Sequence, residues 1–313
     1  MSEWPTIREL ARFRDVFLLD LYDRPTMGTR VGFQGFRSKH KSVILVWGVR
    51  VMTEWNASEY ARMSALQAAM AEEVLSLLDL SGAEQILDVG CGNGKTTTEI
   101  AVRVPKGNVV GVDASAEMIN FAMAHRDATL HSNLQFVVAD ARHLPFEEEF
   151  DLVVSFNALH WIPEQAQALQ SIRSALKPDG QAKLRLVPKD ERKSLEDVIE
   201  DTRLSPRWAG YFKSFRDPYL HLTPEQYGIL AERNGFRVLR THTEAKGWDF
   251  QSRSAFLAFG SVTFIEWTQH LPEGKRLDFV KDVLDRYQRV AADSSGEENL
   301  FRFYQMDITL LRK

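Results

Sequence analysis

Between Gln85 and Val187 the chain alternates short apolar runs with amphipathic stretches, and this rhythm constrains the fold more than any other feature. Runs of strand length are Ile86–Val89, Val109–Val112, Leu134–Val138, Leu152–Phe156 and Ala182–Val187. Helical stretches Thr96–Val104, Ala116–Ala128 and Glu164–Leu176 lie between them, the last closed by the turn signal Lys177-Pro178-Asp179-Gly180. Strands separated by helices must run parallel, because each helix carries the chain back across one sheet face. Two later extended stretches, Phe236–Thr243 and Phe301–Leu311, flank a helical segment around Arg276–Val290 and read as a final antiparallel pair.

Outside this core the pattern changes. From Met52 a clean helical period begins, capped at Asn56 or Ser58 and running to about Leu80. Residues 1–51 hold only short apolar patches with no sustained period, so burial would hardly offset an ordering cost of ~1–2 kcal/mol per residue. They are expected to be a poorly ordered extension or to stem from a mis-called start. Residues 188–222 are charged and rich in proline and aromatics, and read as a cap inserted above the sheet.

Composition narrows the partners. The formal net charge is −4 and the pI about 6.1, unlike the basic balance of a nucleic-acid binder. Cys91 is the sole cysteine, so neither an internal disulfide nor a multi-cysteine metal site is available. A reducing, cytoplasmic setting follows as an expectation. No apolar run approaches a membrane span, and no signal peptide is seen.

The chemistry starts at Ile86-Leu87-Asp88-Val89-Gly90-Cys91-Gly92-Asn93-Gly94, a strand running into a glycine turn and then a helix. A dinucleotide fingerprint needs its third glycine one residue later, where this chain has Lys95. Asp88, two residues before Gly90, would repel a pyrophosphate. It suits a cation such as the sulfonium and ammonium of S-adenosylmethionine. Asp113 ends the second strand close to the ~20-residue spacing at which an acid meets ribose hydroxyls. Asp140 follows the third strand, where it can accept from an adenine amino group. Three acids at the carboxyl ends of three consecutive strands stand where open α/β sheets bind ligands.

With these motifs, residues 52–313 resemble the class I methyltransferases: Asp-x-Gly-x-Gly-x-Gly, then Val-Val-Gly-Val-Asp-Ala-Ser, then Ala-Asp-Ala-Arg-His-Leu-Pro-Phe. The resemblance implies a doubly wound, Rossmann-like, seven-stranded mixed sheet with a helical cap, and S-adenosylmethionine as cofactor. It implies glycine-loop contacts from Gly90 and Gly92 to the methionine moiety, with Asp113 and Ala114 at the ribose and Asp140 and Ala141 at the adenine. Tyr60 and Asn157 are further cofactor positions that it implies.

After the fourth strand stands Ser155-Phe156-Asn157-Ala158-Leu159-His160-Trp161. It lacks the Asn/Asp-Pro-Pro-Tyr/Phe of enzymes that methylate nucleic-acid amines, and the paired glutamates of protein arginine methyltransferases. More specifically, the chain is similar to the trans-aconitate and juvenile hormone acid methyltransferase families. It shares a Trp-Asn-x-x-x-Tyr helix, Leu-His-Trp after the fourth strand, and an aromatic cap around Ser205–Phe212 and Pro218-Tyr219. In those families a helix glutamine and the tryptophan after the fourth strand hold a carboxylate; Gln67 and Trp161 match them. Trp208 is a candidate substrate wall, and His160 a candidate base should the acceptor need one.

A carboxylate is already nucleophilic at neutral pH, so no catalytic base is assigned. Alignment alone can supply ~7–11 kcal/mol. The expected function is carboxylate O-methylation of a small or medium organic acid. The alternatives are C- or N-methylation of the quinone-biosynthesis kind, and a cofactor-binding regulatory protein without turnover. The sequence leaves the acid and the oligomeric state open.

Overall fold

The computed structural model describes residues 70, 72–220, 222–294 and 296–313. Tyr60, Gln67 and the whole of 1–51 lie outside the described residues. The helix expected to reach Leu80 is seen in its last turns, residues 72–76.

Seven strands form one sheet in the order β3-β2-β1-β4-β5-β7-β6. The parallel part comprises β1 (Gln85–Val89), β2 (Asn108–Asp113), β3 (Leu134–Val138), β4 (Phe150–Phe156) and β5 (Leu176–Leu186). β7 (Leu300–Arg312) runs antiparallel between β5 and β6 (Phe236–Asp249). The crossover helices are α1 (Lys95–Arg103), α2 (Ala116–His125) and α3 (Gln165–Ala175), and α5 (Pro224–Arg233) leads into β6. Successive side chains of a strand point to opposite faces, and the burial follows. Leu87 and Val153 join a core with Leu169, Ile172 and Tyr227, whereas Ile86, Leu152 and Val154 join one with Ile100 and Ile119. Both faces are therefore covered, as a parallel sheet requires.

One expected turn is not a turn. Lys177-Pro178-Asp179-Gly180 lies inside β5 as an irregularity, the register against β4 jumping from Phe150↔Leu176 to Leu152↔Gln181. Asp179 takes a left-handed φ of 64° there, so the extra residues loop out and the strand resumes.

The cap is also larger than expected. Residues 188–222 contribute α4 (Leu195–Arg203) and a short 3-10 turn, Ala209–Tyr211. A second segment between β6 and β7 adds α6 (Arg253–Thr263), α7 (Ile265–Thr268) and α8 (Glu273–Ala291). The two share one apolar cluster. α8 buries Phe279, Val280, Val283, Leu284 and Tyr287, a stripe at helical spacing. Against it lies Trp208, whose ring meets Phe279 edge-on at 5.2 Å. Its indole donates to Asp282 at 2.7 Å, so this buried N–H is satisfied.

The C-terminal helical turns before β1 are tied to the sheet by charge. Arg185, wholly buried on β5, pairs with Glu73 at 2.9 Å and with Asp307 on β7 at 2.6 Å. Lys246 on β6 also reaches Glu73.

Candidate active site

β1 ends at the glycine loop. Gly90, Gly92 and Gly94 have φ of 78°, 54° and 76°, a region closed to most side chains. The Gly90 and Cys91 amides donate to the Val112 carbonyl at 2.8 and 2.9 Å, folding the loop back over β2. The three glycines differ in what surrounds them. A Cβ on Gly90 would lie 2.2 Å from the Ala158 Cβ, and one on Gly94 would strike Phe136 and Ala122. A Cβ on Gly92 would meet nothing within 4 Å. Gly90 and Gly94 thus serve close packing, while Gly92 leaves room on the ligand side.

A cavity of about 640 Å³ runs from this loop to the cap. Asp88, Gly90, Gly92, Asn157, His160 and Trp161 all line it. Asp113, Ala114, Asp140, Ala141 and Trp208 do not.

Asp88 is buried at the end of β1, where Thr97 Oγ1 donates to its Oδ2 at 2.7 Å. Burial pushes its carboxyl up to about 7, against the pull of the Thr97 bond and with help from the Asp113 charge. Asp113 accepts the Gly92 amide on Oδ2 and the Ser115 amide on Oδ1, each at 2.9 Å. It therefore braces the glycine loop against the start of α2. Asp140 is paired with Arg142, whose Nη2 lies 2.6 Å from Oδ2 and which also reaches Glu164. Burial raises the Asp140 carboxyl less than the Arg142 bonds and charge lower it, and it ends below the usual range. Ala141 sits in the core beside it and Ala114 is half-buried.

At the end of β4, Asn157 adopts a left-handed φ of 56°. Its Oδ1 accepts from Gln305 at 3.1 Å, and its amide donates to the Arg185 carbonyl at 2.9 Å. His160 and Trp161 follow on a 3-10 turn, Leu159–Trp161. The His160 ring is buried against Tyr219 at 5.1 Å, and its Nδ1 accepts the Val187 amide at 3.3 Å. Burial pushes the imidazole down to about 3, so it is neutral. It is therefore a poor base at physiological pH. Trp161 is half-buried, edge-on to Tyr219 at 5.1 Å and to Trp267 at 6.0 Å.

Trp208 needs correction as a substrate wall: it is 1% exposed, closed inside the cap by Phe279 and Asp282. The cap-side wall consists instead of residues the sequence reading did not single out, among them Leu195, Ile199, Phe259, Phe264, Phe301 and Phe303. Phe259 lies on α6, whose start was signalled by Ser252 ahead of Phe256, Phe259 and Gly260 at helical spacing. Among the described residues, no group of three or more His, Cys, Asp or Glu could hold a metal, and no helix is long and apolar enough to cross a membrane.

Residues 86–180, from β1 into β5, match a family model described as a methyltransferase domain. The strand order above agrees with that match. The chain carries an S-adenosylmethionine-dependent methyltransferase domain of the class I kind. This methyltransferase is 28% identical over 247 residues to the trans-aconitate 2-methyltransferase of Enterobacter sp. (strain 638), covering 76% of this chain and 89% of that one. To the trans-aconitate 2-methyltransferase of Shigella flexneri serotype 5b (strain 8401) it is 34% identical over 129 residues, 41% of this chain. That match spans about half of the relative, 49%. The fold of the methyltransferase is also that of Haemonchus contortus phosphoethanolamine N-methyltransferase 2, solved in complex with S-adenosyl-L-methionine. The TM-score is 0.53 at 18% identity, covering 82% of this chain and 56% of that one. S-adenosylmethionine is the cofactor of the methyltransferase. The residues fit it: the space left beside Gly92 and the acid at Asp88 are what a bulky cationic ligand needs.

Proposed function

We propose that the enzyme methylates a carboxylate oxygen of a mainly apolar organic acid, in the cytoplasm. The observation that carries this reading is the cap-side wall. Among its described residues there is no Arg or Lys; the lysine of the cavity, Lys95, belongs to the glycine-loop end. Aromatic and aliphatic side chains dominate, and neutral polar groups on Asn157, His160 and Trp161 stand toward the sheet. One carboxylate held by neutral donors suits such a site. Further carboxylates would be buried against phenyl rings without a counter-charge, at a cost of several kcal/mol each. A tricarboxylate like trans-aconitate is therefore disfavoured.

In this reading Gly90 and Gly92 hold the methionine moiety, Asp88 its charge, Asp113 and Ala114 the ribose, and Asp140 and Ala141 the adenine. Tyr60 and Asn157 close the cofactor side, while Gln67 and Trp161 grip the acid. When bound, S-adenosylmethionine would supply an electrophilic methyl to the acceptor oxygen, with its sulfur as the leaving group and no proton to be moved. The chain's own task is to align that oxygen and exclude water. Donors should hold the carboxylate only moderately, since it loses its charge in the transition state.

A second reading is N- or C-methylation. It draws on Glu196, which lines the cavity beside the aromatic wall and suits an ammonium better than a carboxylate. A panel of acids and amines with methyl-labelled cofactor separates the two. The expected product comes from an apolar monocarboxylic acid and releases labelled methanol in base. A base-stable product, or a preference for trans-aconitate, would overturn the reading.

A further inference from the structure

We propose that His160 serves methyl transfer as a neutral hydrogen-bond donor, its Nε2–H holding one oxygen of the acceptor's carboxylate. This rests on the carboxylate reading above and gives the histidine a role other than that of a base. The argument starts from the ring's other nitrogen. The Val187 amide can only donate, so His160 Nδ1, 3.3 Å away, must accept. An accepting Nδ1 carries no proton, so the neutral ring has its proton on Nε2. Protonating the ring would require breaking the Val187 bond at a buried position.

The ring has little freedom to escape this state. Its own carbonyl accepts the Leu220 amide at 2.8 Å, Tyr219 packs against it at 5.1 Å, and the residue is 4% exposed. Nε2 has no partner among the described residues, and the residue lines the cavity next to Trp161. The acids nearby face Tyr219, whose phenol burial pushes well above its usual range, with added effect from Glu196 and Asp197 on α4 and from Asp217 on its own loop. None of them shifts His160, whose descent comes from burial alone. A neutral donor also fits the chemistry: it orients a carboxylate without the strong ground-state grip of a cation.

The test uses the full chain. Nitrogen-15 imidazole spectra, with His160→Gln identifying the signal, should show a protonated Nε2 and a bare Nδ1 from pH 5.5 to 8. Kinetics use the monocarboxylic acid that turns over in the panel. The side-chain amide introduced by His160→Gln would place a donor near the Nε2 position, so this variant should keep KM for the acid within a few-fold. His160→Phe should raise it roughly tenfold to hundredfold, with KM for the cofactor unchanged in both. A merely packing role predicts the reverse order, since Phe fills the ring's space better. An imidazolium titrating between pH 5.5 and 7.5, a proton on Nδ1, or His160→Phe acting like wild type overturns the proposal. Should His160→Phe fail to fold, the wild-type spectra still decide the tautomer. A base-stable methylated product overturns the carboxylate reading and the role of His160 with it; a methyl ester together with a titrating His160 overturns the donor role alone.

Discussion

Thr97 Oγ1 and Asp88 Oδ2 form a 2.7 Å hydrogen bond that is shut off from solvent at the mouth of the glycine loop. The pair leaves Asp88 a carboxyl that titrates near 7, chiefly through burial. A raised carboxyl favours the folded protein when protonated, so that contribution is complete below the unfolded value near 3.8 and is lost as pH rises through about 7. A cationic ligand reverses the preference. Binding of S-adenosylmethionine should therefore release a proton below pH 7, and affinity should rise with pH up to about 7 and then level. Calorimetry at pH 6 in two buffers of different ionisation enthalpy measures the release. Zero proton release, or an Asp88→Asn variant with the same pH dependence, would contradict it.

Asp113 spends its known hydrogen bonds on the Gly92 and Ser115 amides, in addition to any contact with a ribose. Asp113→Ala should weaken cofactor binding tenfold or more, since a hydrogen bond to a charged group contributes ~1.5–3 kcal/mol. Asp113→Asn keeps an accepting oxygen for one amide and should lose less. Calorimetric affinity equal to wild type in both would remove Asp113 from the cofactor site.

The glycines of the loop should separate into two kinds. Gly92→Ala places a methyl in open space beside the ligand and bears a left-handed backbone cost of ~1–2 kcal/mol. It should fold and bind the cofactor poorly. Gly90→Ala drives a methyl into Ala158 and should chiefly lower the melting temperature. Thermal melts with and without cofactor would show whether the order is reversed.

Gln67→Ala and Trp161→Phe should lower turnover of an acid while leaving cofactor affinity nearly intact. Gln67 lies outside the described residues, and Trp161 lines the cavity. Collapse of cofactor affinity, measured by calorimetry, would move either residue out of the acceptor role.

Asp307→Ala should destabilise the fold by ~3–5 kcal/mol, because it deprives the wholly buried Arg185 of a partner. Denaturant unfolding gives the value; a change within ~0.5 kcal/mol would mean that Glu73 and the surroundings satisfy Arg185 alone.

The parallel half of the sheet was readable from the sequence because β1, β2 and β4 are mostly buried apolar runs and amphipathic stretches follow β1, β2 and β4. β6 was read only to Thr243, since Glu244–Asp249 alternates half-exposed and exposed residues at the sheet's edge and has no apolar run. The glycine loop was legible because its chemistry is local. Trp208 was misread for the opposite reason: the group that satisfies its indole, Asp282, stands 74 residues away and on another helix. The wall residues Phe301 and Phe303 look in sequence like ordinary alternation of a strand, and only the packing of α6 over them turns that face into a cavity lining.

β7 is the last of the seven strands to leave the ribosome, yet it lies between β5 and β6. Until it emerges, β5 exposes a row of unpaired backbone groups and β6 has no neighbour, a state prone to pairing with other chains. The nascent protein can assemble its glycine loop early, from β1, β2 and β4, but the cap-side wall of its cavity is complete only once Phe301 and Phe303 arrive. Slow translation over the final strand would therefore prolong the one stage at which this chain is most exposed to aggregation or to chaperones.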